Sequence, residues 1–188
     1  MKIDLTKNAI TKGEKIALDD NGVELTACFM GLGWDEENSG KAIDLDANCL
    51  TFDANGNLLD KINFQSMKNS NRSIYLTEDN RTGKGDGDDE QIYVDLAAVP
   101  ANVKSMVFSV TSYEGQTFNE IKNCFARLVD TKTGDQKCIY NFGEKSTNTA
   151  LVMCKIYRHN DKWKLAAIGT PCRGRVAGDI LNECKACL

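Results

Sequence analysis

Acidic side chains are concentrated in one stretch of this chain, EDNRTGKGDGDDEQ, which runs from Glu78 to Gln91. Like charges packed this closely repel one another unless water or a cation screens them. From Glu78 to Glu90 the local charge is −4, which equals the formal charge of the whole chain. It results from six acids, Glu78, Asp79, Asp86, Asp88, Asp89 and Glu90, against two bases, Arg81 and Lys84. The stretch must therefore be either fully solvated or bound to a cation.

Two familiar loop motifs do not fit this stretch. The twelve residues of Asp79–Glu90 have the length and the acidic ends of an EF-hand loop, but Lys84 replaces the turn glycine and strand-like sequences flank the loop. A phosphate-binding loop would end in Gly-Lys-Ser/Thr, whereas here Gly83, Gly85 and Gly87 alternate with charged residues and further acids follow. The simplest alternative that remains is a solvated hairpin tip.

Two features of the stretch favour a metal site over a solvated tip. The glycines allow the backbone to fold back and to turn its carbonyl groups inward. Hard divalent cations bind six to eight oxygens at about 2.3–2.6 Å, and the stretch offers carboxylate and amide oxygens without a soft ligand. The candidate ligands within it are Asp79, Asn80, Asp86, Asp88, Asp89 and Glu90.

A second group of carboxylates lies upstream, in the sequences GWD and DLD. Asp44 and Asp46 are two residues apart, so on a strand they face the same side. A pair of half-buried carboxylates needs a counter-charge or a cation. The alternative is a solvent-facing strand with polar alternation. Taken with the acidic stretch, Asp44 and Asp46 predict one or two shared calcium sites, with Asp35 as a further candidate ligand.

The composition favours a single globular domain. One domain is the default at 188 residues, and a chain of this length buries a substantial core without disulfides. An isoelectric point of about 5.1 and the lack of a Lys/Arg-rich run argue against nucleic-acid binding. The sequence has no run of ~18 apolar residues, and Asp4 and Lys7 stand where a signal peptide would be apolar. We therefore expect a cytoplasmic protein.

The chain contains eight cysteines. Without an export signal they are not expected to form a disulfide framework. Several lie in apolar, strand-like runs, where cysteine behaves as a small hydrophobic residue. Cys184 and Cys187 form a C-x-x-C pair, but no second pair has the spacing of a zinc site. We expect a structural role for the cysteines, with zinc or redox chemistry as the alternative.

Alternation of apolar and polar residues, rich in β-branched and aromatic side chains, dominates the sequence and predicts strands. Turn-forming sequences such as DANGN and DTKTGD separate them. The tail after Gly174 has apolar residues at helical spacing and predicts one short C-terminal helix. The expected fold class is therefore all-β, a two-sheet β-sandwich of about nine strands. The predicted strands are Val23–Trp34, Ala42–Phe52, Ser73–Glu78, Gln91–Leu96, Val103–Tyr113, Cys124–Asp130, Gln136–Phe142, Thr149–His159 and Lys162–Gly169.

Five segments spread over nearly the whole chain match the motifs of a known family. They are GLGWD (Gly31–Asp35), DLDA (Asp44–Ala47), DNRTGKGDGDDEQ (Asp79–Gln91), DLAAVPANV (Asp95–Val103) and YRHNDKWKLAAIG (Tyr157–Gly169). In this order they resemble the TerD family of tellurium-resistance and stress-response domains. Residues 1–188 are accordingly expected to form a single TerD-like domain.

The resemblance implies a β-sandwich that binds calcium through loops at one end and that occurs in bacterial tellurite-resistance and general-stress operons. Related domains in some eukaryotic microbes are described as binding cyclic AMP. Two segments, Asn63–Ser73 and the C-terminal NECKACL, depart from the family pattern. Carried onto this chain, the pattern implies metal ligands among Asp44, Asp46, Asp79, Asn80, Asp86, Asp88 and Glu90, backbone oxygens near Gly83, Gly85 and Gly87, and Asp35 and Asp89 as additional ligands.

The predicted function is that of a calcium-binding, non-enzymatic module, a scaffold or sensor in stress response. Calcium would order its acidic loop, and other proteins of a stress-response complex would recognise the ordered surface. A metal-dependent phosphoesterase that uses the same acids is the first alternative. His159 is the single histidine of the chain and lies in a predicted hairpin, so no Ser/His/Asp arrangement can be built without it.

Two further alternatives use other residues. Calcium-dependent binding of an anionic ligand, such as a cyclic nucleotide or a membrane headgroup, would need basic or apolar residues beside the metal loops. Arg81, Lys84 and Trp34 are near in sequence, although Trp34 is also expected to lie in the core. Direct reaction of the cysteines with tellurite would need accessible thiols.

Overall fold

The computed structural model describes residues 3–20, 22–35, 42–84, 87–142 and 146–188. Within these residues the protein has thirteen strands, one short 3-10 turn and one α-helix, which confirms the all-β prediction and the short C-terminal helix. In chain order the strands and the helix are β1 (Lys15–Ala17), β2 (Asp19–Asp20), β3 (Val23–Glu24), β4 (Ala27–Asp35), β5 (Leu45–Phe52), β6 (Leu58–Ile62), β7 (Ile74–Leu76), β8 (Glu90–Asp95), β9 (Ser105–Ser112), β10 (Lys122–Asp130), β11 (Gln136–Asn141), β12 (Ala150–His159), β13 (Lys162–Cys172) and α1 (Leu181–Lys185).

Two antiparallel sheets form the sandwich. The six-stranded sheet has the order β1-β13-β12-β9-β5-β6, and the five-stranded sheet has the order β11-β10-β4-β8-β7. The strands β2 and β3 form a separate two-stranded ribbon. Buried side chains from both large sheets meet in one hydrophobic core, for example Leu32 of β4 and Phe108 of β9. The predicted two-sheet β-sandwich is therefore confirmed.

All nine predicted strands are present, and three short strands were not predicted. The strands β1 and β2 have three and two residues, which is too short to show alternation. The strand β6 follows the predicted Asn-Gly turn, where Gly56 has a φ of 76°, and pairs with β5 across it. The predicted strand Val23–Trp34 is divided into β3 and β4, because β3 pairs with β2 whereas β4 pairs with β8 and β10.

The strand β5 is buried along its whole length because both of its faces are covered. Leu45 faces the core between the sheets. Leu50 and Phe52 face the outer side of the six-stranded sheet, where the C-terminal tail packs against them through Ile180. A polar residue on this strand is therefore removed from water, and Asp46 is only 2% exposed.

The acidic stretch joins β7 to β8 at the end of the sandwich where β5 begins and β9 ends. Glu90, the first residue of β8, pairs with Leu32 near the end of β4, and Asp46 pairs with Thr111 near the end of β9. Within the described residues β6 pairs with β5 from Cys49 onward, so the first half of β5 has no strand on that side. Glu90 bonds the backbone of β5 at Ala47, and Asp79 lies close to the carboxylates of Asp44 and Asp46.

Candidate metal centre

Three carboxylates from two distant segments converge at this end of the sandwich. One oxygen each from Asp44, Asp46 and Asp79 lies within 4.8 Å of the other two. Two oxygens that bind one calcium ion at about 2.4 Å each are at most ~4.8 Å apart, and the three carboxylates meet this condition. A cavity of about 230 Å³ opens onto these carboxylates. It is also lined by Phe64, Arg81, Tyr113 and Glu114.

Two buried oxygens of this cluster have no hydrogen-bond partner in the part of the chain that the structure describes. Asp44 Oδ1 and Asp46 Oδ2 are inaccessible to solvent and accept no hydrogen bond from the described residues. The nearby Arg81 donates its Nε–H to Asp79 Oδ2 at 3.0 Å, and its side chain is 75% exposed. Leaving a buried carboxylate oxygen without a partner costs free energy, which a bound cation would offset. The donor set and these two oxygens fit a hard cation such as calcium.

The pKa values of the carboxyl groups in and beside the cluster also favour a bound cation. Burial, reinforced by the charges of Asp44 and Asp79, raises the pKa of Asp46 to about 8. Burial also raises the pKa of Asp44, with a further contribution from Asp79. Glu90 lies beside the cluster, and burial raises its pKa to about 9, with added repulsion from Asp46 and Asp79. These carboxyl groups hold a negative charge poorly by themselves, and a divalent cation would reverse this preference.

Asp88 lies outside the cluster and is engaged by an arginine. Arg127 of β10 donates Nε–H to Asp88 Oδ1 at 2.7 Å and Nη2–H to Asp88 Oδ2 at 2.8 Å. Gln91 Nε2 donates a third hydrogen bond to Oδ2 at 2.9 Å. The carboxylate lies over Gly31 of β4, where an added Cβ would be 2.4 Å from it. The structure therefore places this predicted ligand in a buried ion pair.

Asp89 and Glu90 are also held by N–H groups. Asp89 Oδ2 accepts from the backbone N–H of Trp34, and Oδ1 accepts from Asn80 Nδ2, both at 3.0 Å. Glu90 Oε2 accepts from the backbone N–H of Ala47 at 2.7 Å, and Oε1 accepts from the backbone N–H of Asn80 at 3.2 Å. Each of these oxygens retains a lone pair that can still bind a cation. Their position is set by the backbone of β4 and β5.

Asn80 and Gly83 shape the start of the loop. Asn80 Oδ1 accepts from the backbone N–H groups of Thr82 and Gly83, at 3.0 and 3.2 Å. Gly83 has a φ of 63°, and an added Cβ would be 2.3 Å from Trp34 Nε1. The same Nε1 donates to the carbonyl of Ile43 at 2.9 Å, next to Asp44. Trp34 is 2% exposed, so its expected place in the core is confirmed while its ring also supports the loop.

The remaining predicted ligands lie apart from the cluster or outside the described residues. Asp35 is exposed, and its Oδ2 accepts from Asn123 Nδ2 at 2.5 Å. Gly87 has a φ of 108°, and its carbonyl oxygen lies 2.7 Å from the position of an added Cβ on Gly33. Gly85 and Asp86 are not among the described residues. Of the predicted set, the described structure thus brings Asp44, Asp46 and Asp79 together as one group of ligand oxygens.

Sequence reasoning missed Arg127, Tyr113 and Glu114. Arg127 stands in the predicted strand CFARLVD, and a charged residue amid apolar neighbours was the available signal. Its partner Asp88 is 39 residues away, so the sequence could not identify the pair. Tyr113 and Glu114 line the cavity and directly follow the last residue of β9. The sequence around them contains no motif that indicates a metal site.

The cysteines pack as the sequence predicts. All eight are free thiols, and seven of them are buried. Burial raises the pKa of Cys138 to about 12 and that of Cys172 to about 11, so these thiols stay protonated. Cys187 is half-buried, and its Sγ donates to the carbonyl of Glu183 at 3.1 Å. Thiols in this state are poor nucleophiles toward an oxyanion.

We expect iodoacetamide at neutral pH to modify Cys187 of the native protein first. The other thiols should react only after unfolding in guanidinium chloride, because burial excludes the reagent and disfavours the thiolate. Mass spectrometry of the intact protein counts the adducts, and Cys187→Ser is the control that should remove the early adduct. Rapid modification of several thiols in the native state would contradict a packing role and would favour direct thiol chemistry.

The single histidine lies far from the acidic cluster. His159 ends β12 and is exposed, and its ring contacts Tyr157 at a centroid distance of 6.5 Å. Ala150, at the other end of β12, is paired with Thr111 of β9, and Thr111 is paired on its other side with Asp46. Ala150 therefore lies at the end of the sheet that carries the cluster. His159 is nine positions further along the strand than Ala150, which corresponds to about 30 Å. The histidine is therefore not placed to assist chemistry at the cluster.

No helix in the described part of the chain has both the length and the apolar character needed to cross a bilayer. The fold and the site together define a β-sandwich with an acidic, oxygen-lined centre at one end. The sequence profile of the TerD domain matches residues 6–181. The chain belongs to the TerD domain family, as its motifs suggest.

Relatives of known name are similar over most of their length. The chain is 35% identical over 185 residues to the tellurium resistance protein TerZ of Serratia marcescens, covering 93% of this chain and 95% of that protein. It is 35% identical over 179 residues to general stress protein 16U of Bacillus subtilis (strain 168), covering 90% and 93%. The fold resembles the crystal structure of a TerD homologue from Streptomyces coelicolor A3(2), with a TM-score of 0.73, 16% identity and coverage of 84% and 95%.

Proposed function

We propose that this protein is a calcium-binding, non-enzymatic module of a bacterial-type stress or tellurium-resistance response, acting as a scaffold or sensor. The observation that carries the proposal is that Asp44 and Asp46, whose carboxylates converge with that of Asp79, each have a buried oxygen without a hydrogen-bond partner among the described residues. These three residues would hold one ion of the one or two that the sequence predicts. Calcium would add positive charge next to Asp44 and Asp46, since Arg81, the arginine that lines the same cavity, is paired with Asp79 and is largely exposed.

The mechanism that this arrangement supports is electrostatic. Asp44 and Asp46 belong to the strand side of the site, and Asp79 belongs to the loop, so their repulsion opposes closure of the loop onto β5. Charge neutralisation would join the two segments. At a hundredfold excess of calcium over its dissociation constant, binding would add about 2.7 kcal/mol to the free energy of unfolding. The closed loop would then present a fixed surface to another protein of the stress response.

The role in stress response rests on the relatives. One is named a tellurium resistance protein and another a general stress protein, and both match this chain over nine-tenths or more of its length. Neither name describes a catalytic reaction. Together with the position of His159 away from the acids, this supports a binding role over the phosphoesterase alternative.

Isothermal titration of calcium into chelator-stripped protein tests the proposal. The wild type should bind one or two ions with a dissociation constant in the micromolar range or below. Asp44→Asn, from the strand side, and Asp79→Asn, from the loop, should each weaken binding at least tenfold, since each removes one charged ligand. Asp161→Asn is the matched control, because Asp161 lies in an exposed turn with a φ of 60° that asparagine adopts readily.

Two results of the calcium titration would contradict the proposal. If the chelator-stripped wild type takes up no calcium, the acidic stretch is a solvated loop and the unpartnered oxygens need another partner. If calcium binds but Asp44→Asn and Asp79→Asn bind it as well as Asp161→Asn does, the ion lies elsewhere on the protein.

A further inference from the structure

Three consecutive acids at the end of the loop bond three different strands. Asp88 bonds a side chain of β10, Asp89 bonds a backbone N–H of β4, and Glu90 bonds a backbone N–H of β5. The strands β10 and β4 belong to the five-stranded sheet, and β5 belongs to the six-stranded sheet. These residues therefore fasten one end of the loop to both sheets at once.

The first of these contacts is a buried bidentate ion pair. The Asp88 side chain is 1% exposed and that of Arg127 is 20% exposed. Paired N–H···O bonds of this kind fix orientation as well as distance, and they are stronger than bonds between neutral groups. The guanidinium carbon also lies 5.7 Å from the centre of the Phe29 ring on the neighbouring strand. Arg127 is thus held from two sides and forms a rigid support for Asp88.

A continuous path of contacts leads from this pair to the metal cluster. Asp88 precedes Asp89 and Glu90, and both of these accept hydrogen bonds from Asn80. Asn80 directly follows Asp79, the carboxylate that the loop contributes to the cluster. Among the described residues Arg127 forms no hydrogen bond or ion pair with the three clustered acids, so we expect any effect that it has on them to pass through this path.

We infer that Arg127 is a positioning residue of the calcium site, an inference that rests on the proposed function. By fixing Asp88 it sets the backbone of Asp89 and Glu90, and through Asn80 it holds Asp79 opposite Asp44 and Asp46. Contacts that keep the ligands near their bound positions reduce the ordering that calcium binding must offset, and they therefore strengthen binding. Groups that orient ligands without touching the metal typically change metal affinity 10–100-fold.

Arg127→Lys is the test, because lysine keeps the charge but loses the planar fork that grips both oxygens of Asp88. By calorimetry at a temperature where the variant is folded, we expect the calcium dissociation constant to rise about 10–100-fold. Amide hydrogen exchange in the presence of chelator supplies a second measurement that needs no calcium. The backbone N–H groups of Asn80 and Trp34, which bond Glu90 and Asp89, should exchange faster than in the wild type.

Arg158→Lys is the matched control. Arg158 is another partly buried arginine, and it donates to the carbonyls of Val99 and Val103, which follow the far end of β8. This variant should lower the melting temperature while it leaves calcium affinity within about twofold of the wild type and leaves exchange at Asn80 unchanged. A purely structural role for Arg127 would produce the same result as this control.

The outcomes separate this inference from the proposed function. No calcium uptake by the wild type overturns the proposed function and the inference with it. Uptake by the wild type with an unchanged dissociation constant in Arg127→Lys overturns the inference alone. If Arg127→Lys does not fold, Asp88→Asn carries the test, because asparagine keeps the shape and one oxygen for Arg127, and unchanged affinity there overturns the inference equally.

Discussion

Asp46→Asn should abolish calcium binding at micromolar concentrations and should also stabilise the metal-free protein. The two effects have opposite signs because the carboxylate is useful only when a cation is bound. Asp46 is 2% exposed, its Oδ2 accepts no hydrogen bond from the described residues, and Asp44 and Asp79 lie beside it. Burying such a charge opposes folding, and the neutral amide of asparagine removes most of that cost.

The expected gain in the chelator-treated variant is about 2 kcal/mol in the free energy of unfolding. For a chain of this length that raises the melting temperature by roughly 4–8 °C. Differential scanning calorimetry in chelator and in excess calcium measures both effects on one sample. Wild-type protein should gain stability on addition of calcium, whereas Asp46→Asn should not, and Asp161→Asn should behave as the wild type.

Two results would count against this reading of Asp46. A lower melting temperature of Asp46→Asn in chelator would show that the carboxylate has a stabilising partner without metal. Calcium affinity equal to that of the wild type would remove Asp46 from the ligand set, even if Asp44 and Asp79 remained in it.

Gly31→Ala should strongly destabilise the protein. An added Cβ on Gly31 would lie 2.4 Å from Asp88 Cγ and Oδ1 and 2.6 Å from Oδ2. The carboxylate would have to move away from Arg127, and breaking a buried ion pair typically costs 3–5 kcal/mol. We expect the melting temperature to fall by on the order of 10 °C. The loop should also lose its attachment to β10, so calcium affinity should fall at least as much as in Arg127→Lys.

Gly178→Ala is the control for the loss of glycine itself. No atom of the described residues lies within 4 Å of an added Cβ on Gly178. Thermal unfolding in chelator followed by calcium titration compares the two variants directly. A melting temperature of Gly31→Ala within about 2 °C of that of Gly178→Ala would mean that Asp88 moves aside without cost, and the ion pair would then not support the loop.

Much of the fold could be predicted because strands leave a local signature. The alternation that identifies β12 and β13 involves neighbouring residues alone, and the turn between them is visible as His-Asn-Asp, where Asn160 and Asp161 have φ values of 51° and 60°. The strand β6 escaped prediction because its charged residues mask the alternation and its pairing with β5 supplies the missing stabilisation. Short strands such as β1 exist only because β13 offers an edge to pair with.

By itself, the sequence determined the chemistry of the site. Oxygen ligands, a glycine-rich turn and two acidic segments are properties of residue type and spacing, and they predict a hard cation. The resemblance of five motifs to the TerD family is likewise visible in the sequence. The tertiary structure decided which acids have a free oxygen and which are bonded to other side chains. Asp46 and Asp88 carry the same carboxylate, but one has a buried oxygen without a donor and the other has Arg127 within 3 Å. Which donors reach a carboxylate depends on sheet pairing between residues far apart in sequence. A local sequence pattern does not encode that pairing.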